Sequence, residues 1–176
     1  TTETGPTPRE TEVHRAGAIA AAATGVAIVL HSPQAAVTRA VLATLEAEGF
    51  DPARLVWAHA HDSSLEDNLE LAARGVTISF DDVSACDDAE AIDRIAMLID
   101  GGFGDRVLVS TDTSVWINPP EMAYERSLDH LIVTFLPAVE ARLGAGVRDG
   151  LVRGNVARAV GRPTGGRDGE DAAQEG

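Results

Sequence analysis

Residues 25–31, with the sequence GVAIVLH, give the strongest indication of the fold of this chain. A glycine precedes five apolar residues, and a histidine ends the run. A continuous apolar stretch of this length between turn-forming residues predicts a strand that is buried on both faces, as in a parallel sheet. Comparable apolar runs lie at residues 55–58, 76–80 and 107–110, so the sequence predicts four strands.

Helices are predicted before the first strand and after every strand. Residues 7–10, TPRE, combine an N-cap residue, a proline suited to the first helical turn and the acidic partner of a capping box. This first helix should stop at Gly25, and a second capping box is predicted at residues 63–66, SSLE. The apolar spacing also predicts a long helix over about 128–143 and a short one over 155–160.

The alternation of strands and helices is typical of two architectures, an open doubly wound sheet and a (β/α)8 TIM barrel. No G-x-G-x-x-G motif follows any of the predicted strands, which disfavours a dinucleotide-binding sheet. Four strands are half of a barrel. We therefore expect an α/β fold with one helix and four βα units in a domain of residues 1–160, followed by a disordered polar tail over residues 161–176.

Composition and charge exclude several classes of function. The 176 residues carry a formal net charge of -14, with 28 acidic residues against 14 basic ones, all of them arginine. This balance argues against binding to nucleic acid or to anionic membranes. The absence of lysine excludes a P-loop and a Schiff-base mechanism within these residues. The single cysteine, Cys86, cannot form an internal disulfide and suits a reducing compartment, so we expect the cytoplasm.

Three predicted strands end in residues that bind metals well. His31 and His59 directly follow apolar runs, and Asp112 lies two positions after the fourth strand. The carboxyl ends of barrel strands form the active-site face, and imidazole with carboxylate suits zinc, manganese or iron. The alternative for each residue alone is a hydrogen-bonded loop position. Three equivalent positions on separate βα units favour the metal site.

Other polar residues lie close to these strand ends. Asp62 has two possible roles. It is either a favourable charge at a helix N-terminus or a carboxylate that accepts a proton during hydrolysis. His61 competes with His59 for the ligand role, and in an extended strand the two side chains would point the same way. His59 is preferred because it is closer to the apolar run.

Two further positions are candidates for the substrate pocket. Asp81 and Asp82 close the third strand, either as a solvated turn or as carboxylates that face the metal pocket, and Asp82 is taken as the pocket candidate. Trp116, in the loop after Asp112, either lines an apolar pocket or anchors the loop.

Together these segments are similar to the C-terminal half of the phosphotriesterase family, which includes phosphotriesterase-like lactonases, in the amidohydrolase superfamily. The resemblance implies that the chain is the last four βα units of a TIM barrel, and it covers about residues 1–160. It is carried by residues 7–16, 24–31, 55–60, 72–81, 104–112, 135–137 and 155–158.

The resemblance implies a binuclear metal centre. His31 and His59 match the ligands of one ion, Asp112 matches a ligand of the other ion that helps to take a proton, and Asp62 matches the carboxylate of the family's proton relay. The implied ions are zinc first, with manganese, iron or cobalt as alternatives, and a hydroxide that bridges them attacks a phosphotriester or lactone ester. A homodimer of the full-length protein is left open.

The chain departs from the family pattern in ways that keep other interpretations open. Asp82 stands where family members carry histidine or arginine, and Thr111 replaces another polar residue, so the choice between phosphotriester and lactone substrates stays open. The family's His-x-His and bridging lysine or glutamate would precede Thr1, so residues 1–176 alone are expected to be inactive. A non-catalytic half-barrel remnant and a TatD-like hydrolase are the alternatives.

Overall fold

Four parallel strands and the helices that connect them are seen in the computed structural model, which describes residues 5–83, 87–112 and 129–161. Apart from one additional helix before the last one, the elements run in the order that the sequence predicts. In chain order they are α1 (Pro8–Thr24), β1 (Ile28–His31), α2 (Ala35–Ala47), β2 (Leu55–Ala58), α3 (Leu65–Ala73), β3 (Thr77–Phe80), α4 (Asp88–Asp100), β4 (Val107–Val109), α5 (Leu136–Leu143), α6 (Ala145–Asp149) and α7 (Asn155–Val160).

The sheet order identifies the architecture. The strands lie in the order β1-β2-β3-β4, and every neighbouring pair is parallel. An order that follows the chain without reversal is that of a barrel wall, whereas a doubly wound sheet reverses its strand order at a switch point. The prediction of four βα units of a barrel, preceded by one helix, is confirmed.

One face of the sheet packs into the hydrophobic core, and the predicted ligands lie at the carboxyl ends of its strands. Trp57, Ile78 and Phe80 lie fully buried in the hydrophobic core. Side chains alternate between faces along a strand, so the intervening positions point to the opposite face. His31 pairs with Ala58 across β1 and β2 at their carboxyl ends, which places the predicted ligands on one edge of the sheet.

The first helix forms as predicted, and the third begins one residue later than expected. Thr7 and Glu10 form the capping box, and Gly25 ends α1 in the left-handed conformation with φ 69°. In α3 the cap is Ser64, whose hydroxyl accepts a hydrogen bond from the backbone N–H of Asp67 at 3.1 Å. The capping box predicted at residues 63–66 was therefore wrong by one position, because the Ser63 hydroxyl donates to the carbonyl of Pro33 instead, at 3.0 Å.

The last helices pack against the fourth strand. The long predicted helix is present from His130, with a π-helical segment over Leu131–Phe135 before α5, and the short helix forms as α7. The Asn155 amide donates to the carbonyls of Gly104 and Val107 at 2.9 and 2.8 Å, which ties α7 to β4. The predicted tail lies, apart from Gly161, outside the described residues.

None of the helices in the described part of the chain combines the length and apolar character that crossing a membrane requires.

Candidate metal centre

His31 and His59 meet at the carboxyl edge of the sheet. His31 is the last residue of β1, and His59 directly follows β2. Their ring centroids are 4.4 Å apart, and the ring planes cross at 80°. The structure therefore brings together the two histidines that the sequence predicts as ligands.

His59 has an unusual backbone conformation that ends β2. Its φ of 60° and ψ of 29° are left-handed, and it is the single non-glycine residue with positive φ in the described ranges 5–83, 87–112 and 129–161. This conformation costs about 1–2 kcal/mol for a residue with a Cβ. The His59 N–H donates to both carboxylate oxygens of Asp81, at 2.9 Å each, which offsets the cost.

Asp81 is a buried carboxylate that contacts both His59 and His61. Its Oδ1 lies 3.3 Å from Nδ1 of His59 and 3.4 Å from Nδ1 of His61. Burial raises the pKa of Asp81, but the interaction with the His61 side chain and the hydrogen bond from the His59 N–H outweigh it, so the pKa lies below its ordinary value. Asp81 is therefore a carboxylate at neutral pH.

His61 lies in a short 3-10 turn, Ala60–Asp62, and is not part of an extended strand. Its carbonyl accepts a hydrogen bond of 2.8 Å from the Arg94 guanidinium of α4, which also donates to the Ser63 carbonyl at 2.9 Å. The Asp81 carboxylate raises the pKa of His61 against the opposing effect of burial, and nearby acidic groups add to the increase. The extended-strand geometry considered for His59 and His61 is thus replaced by a turn in which their ring centroids are 5.8 Å apart.

Two exposed carboxylates lie on the solvent side of these histidines. Asp112 Oδ2 is 3.5 Å from Nε2 of His59, and the Asp112 side chain is 61% exposed. Asp62 Oδ1 is 3.5 Å from Nε2 of His61, and its side chain is 53% exposed. Each histidine therefore has the buried Asp81 on its Nδ1 side and an exposed carboxylate on its Nε2 side.

The predicted pocket residues have different positions. The backbone of Asp82 pairs with that of Thr111 in an isolated antiparallel bridge, which joins the segments after β3 and β4. Trp116 lies outside the described residues. A cavity of about 320 Å³ opens beside His61 and Asp62, and its lining includes Asp87, the N-cap of α4, with Glu90 and Arg94 of that helix.

The donor set suits a divalent cation. Among the described residues, ligand atoms of His59, His61 and Asp62 lie within 4.8 Å of one another. Two imidazoles and a carboxylate are ligands of zinc and of other first-row divalent ions. His31 and Asp112, which both contact His59, add one further imidazole and one further carboxylate.

The prediction from sequence did not assign Asp81 or His61 a role in the site. A signal for Asp81 was available: Thr77, Ser79 and Asp81 form a polar series with the period of a strand, which predicts one common face. No sequence signal predicted the left-handed conformation of His59, because it depends on the Asp81 carboxylate that comes from the neighbouring strand.

Comparisons with known proteins agree with this architecture. The chain belongs to the phosphotriesterase family, because the sequence model of that family matches residues 1–154. A comparison with curated proteins found no match. The family match favours the interpretation as a phosphotriesterase relative over the TatD-like alternative.

Solved structures of family relatives resemble the fold. A phosphotriesterase homology protein from Escherichia coli, solved with phosphate in its active site, is 26% identical to this chain, with a TM-score of 0.74. The matched region includes 88% of this chain and 57% of that protein. An organophosphorus hydrolase variant from Deinococcus radiodurans is 27% identical, with a TM-score of 0.76 and coverage of 88% and 52%. A lactonase from Listeria monocytogenes, at 22% identity, supports the fold alone, with a TM-score of 0.78 and coverage of 89% and 52%. The chain thus spans about half the length of these relatives.

Proposed function

We propose that the protein containing this chain is a metal-dependent hydrolase of phosphotriester- or lactone-type esters, and that this chain supplies His31, His59 and Asp112 to its metal centre. One observation carries the proposal. The His31 and His59 rings are 4.4 Å apart, and Asp112 lies 3.5 Å from His59, at the carboxyl ends of parallel strands. This edge of a barrel is where active sites form.

The chemistry of the donors fits two divalent ions, of which zinc is the first choice, with manganese, iron or cobalt as alternatives. His31 and His59 would hold one ion, and Asp112 would help to hold the other. When bound, such ions lower the pKa of water and polarise an ester oxygen. Asp81 orients the His59 ring through the contact at Nδ1, and this contact leaves Nε2 available to an ion.

The remaining residues accept protons and shape the pocket. Asp112 and Asp62 are exposed carboxylates next to the histidines, and we assign to them the uptake of a proton released in hydrolysis. Asp82 and Trp116 stay our candidates for the substrate pocket. The side chain of Asp82 has no N–H group to donate to a leaving group, unlike the histidine or arginine of family members, so the choice between phosphotriester, lactone and other ester substrates stays open.

We assign turnover to a protein that contains both halves of the barrel. In the resemblance, the His-x-His ligands and the bridging lysine or glutamate come from the half with which this chain does not align. We therefore expect residues 1–176 alone to be inactive, with residues 1–160 as the half-barrel domain. A cytoplasmic location and a homodimer stay predictions.

The test is hydrolysis of a γ-lactone and of a dialkyl aryl phosphate by the zinc-loaded whole protein. Since loss of an outer-shell partner alone typically costs about 10–100-fold, we expect His59→Ala to lower kcat/KM by more than about 100-fold. His14→Ala is the matched control, because His14 is a residue of helix α1 and does not follow a strand. Full activity of His59→Ala, or activity without any bound metal, would overturn the proposal.

A further inference from the structure

The turn that carries Asp62 is held only weakly by its own backbone hydrogen bonds. It is the 3-10 segment Ala60–Asp62 between β2 and α3. The Asp62 N–H donates to the His59 carbonyl at 3.2 Å, and the Ser63 N–H donates to the Ala60 carbonyl at 3.3 Å. Both distances are at or beyond the long end of the usual range for N–H···O bonds. The shape of the turn therefore depends on contacts from other parts of the chain.

Arg94 makes such a contact from α4. Its Nη1 donates to the carbonyl of His61 at 2.8 Å and to that of Ser63 at 2.9 Å. These two residues stand on either side of Asp62. The Arg94 side chain is only 22% exposed, and hydrogen bonds from a charged donor are stronger than those between neutral groups. One nitrogen atom thus binds the backbone on both sides of the carboxylate.

Other side chains hold the two ends of the same turn. The buried Asn68 amide of α3 donates to the Ala60 carbonyl at 2.9 Å. The Ser63 hydroxyl donates to the carbonyl of Pro33 at 3.0 Å. Loss of the Arg94 guanidinium would leave these contacts in place. It would release the part of the turn that carries Asp62, while the ends of the turn stay attached.

The position of the Asp62 carboxylate follows from the position of its backbone. Its side chain is 53% exposed and short, so packing does little to hold it. A proton acceptor must lie within about 2.6–3.2 Å of the group that it serves, so a displacement of about 1 Å is enough to impair the transfer. Asp62 and Arg94 line the same cavity of about 320 Å³, which gives the turn space to move if Arg94 is shortened.

An ion pair is the alternative role for Arg94. Its Nε lies 3.5 Å from the carboxylate of Glu90, one turn earlier in α4, and the Glu90 side chain is 68% exposed. An exposed pair of this kind contributes little to stability. It also involves a different nitrogen from the one that binds the two carbonyls. The contact with the turn is therefore the stronger of the two interactions.

We propose that Arg94 is a positioning residue for hydrolysis. It binds the carbonyls of His61 and Ser63 and so holds the Asp62 carboxylate where it accepts the released proton. This inference rests on the proposed function, in which Asp62 is a proton acceptor.

A double-mutant cycle between Arg94 and Asp62 tests this role in the zinc-loaded whole protein, with the γ-lactone and the dialkyl aryl phosphate as substrates. Arg94→Met should lower kcat by about 10–100-fold, because a small displacement of a reacting group has an effect of this order. In an Asp62→Asn background the same substitution should change kcat by less than about 2-fold, since the carboxylate that it displaces is already gone.

A purely structural role gives a different result. Loss of folded or metal-loaded protein would lower kcat by the same factor with Asp62 and with Asp62→Asn, and that equal loss would overturn the inference. Unchanged kcat in Arg94→Met would overturn it as well. If Arg94→Met does not fold, Arg94→Gln takes its place and the same two outcomes apply.

Arg74→Met is the matched control. Arg74 pairs with Glu46 at 2.8 Å and follows the last residue of α3, at the end of that helix far from the turn. We expect its kcat to stay within about 2-fold of the unaltered protein, since surface substitutions of this kind have small effects.

Hydrogen-exchange mass spectrometry measures the contact without a substrate. The peptide that contains Asp62 and Ser63 should exchange at least about 10-fold faster in Arg94→Met, and at an unchanged rate in Arg74→Met. Unchanged exchange in Arg94→Met would show that Arg94 does not hold the turn. A whole protein that hydrolyses neither substrate would reject the proposed function, whereas the exchange result decides independently whether Arg94 fixes the turn.

Discussion

Replacement of Asp81 by asparagine tests whether this carboxylate organises the sheet edge. The substitution keeps the side-chain size and one acceptor oxygen but removes the charge. Asp81 accepts the His59 N–H through both oxygens, at 2.9 Å, and contacts Nδ1 of His59 and of His61. The left-handed backbone of His59 depends on the same contacts, so its conformation is at risk as well.

The sign and size of the effect follow from the pKa of Asp81. Despite burial, its pKa is lowered, so the fold stabilises the charged form more than the neutral one. Hydrogen bonds to charged groups contribute about 1.5–3 kcal/mol, against about 0.5–1.5 kcal/mol for neutral pairs. We therefore expect Asp81→Asn to lower the free energy of unfolding by about 1–2 kcal/mol at pH 7. In a chain of this length that is a fall in Tm of about 2–8 °C.

Urea unfolding of the metal-free protein, followed by circular dichroism, measures this difference. Asp100→Asn is the matched control, because Asp100 is exposed at the C-terminal end of α4, and we expect a change within about 0.5 kcal/mol. An Asp81→Asn protein as stable as the control, with unchanged histidine resonances, would refute the assignment of Asp81 as the organising residue.

Two further predictions concern the scaffold. Trp57→Phe should lower the free energy of unfolding by about 1–3 kcal/mol in urea melts, because the buried indole N–H donates to the Ser32 carbonyl at 2.6 Å; an unchanged midpoint would contradict this. Asp67→Asn should reduce stability by about 0.2–1 kcal/mol at pH 6. The pKa of Asp67 is lowered, first by the Ser64 hydroxyl and then by an arginine, so its contribution is present above the unfolded pKa and disappears as the pH falls through the folded one. Thermal melts from about pH 6 to about pH 2 should show the two proteins converging, and a constant gap would count against this explanation.

Much of the fold could be predicted from local sequence patterns. The capping residues Thr7, Glu10 and Gly25 predict α1, and the apolar run at residues 25–31 predicts β1. Both signals depend only on a few neighbouring positions, and both elements are present in the structure. The start of α3 was predicted one residue too early, because two consecutive serines both satisfy a cap pattern. The carbonyl of Pro33, from another loop, decides which of them is the cap.

The order of the βα units and the positions of His31, His59 and Asp112 at strand ends could be predicted from local patterns, since hydrophobic period and turn residues are local properties. The orientation of these groups depends on contacts between segments that are distant in the sequence. Asp81 directly follows β3, 22 positions after His59, and its carboxylate holds the left-handed turn that brings His61 and Asp62 beside His59. The pattern of residues along β2 cannot predict this turn, because the carboxylate that stabilises it belongs to the segment after β3.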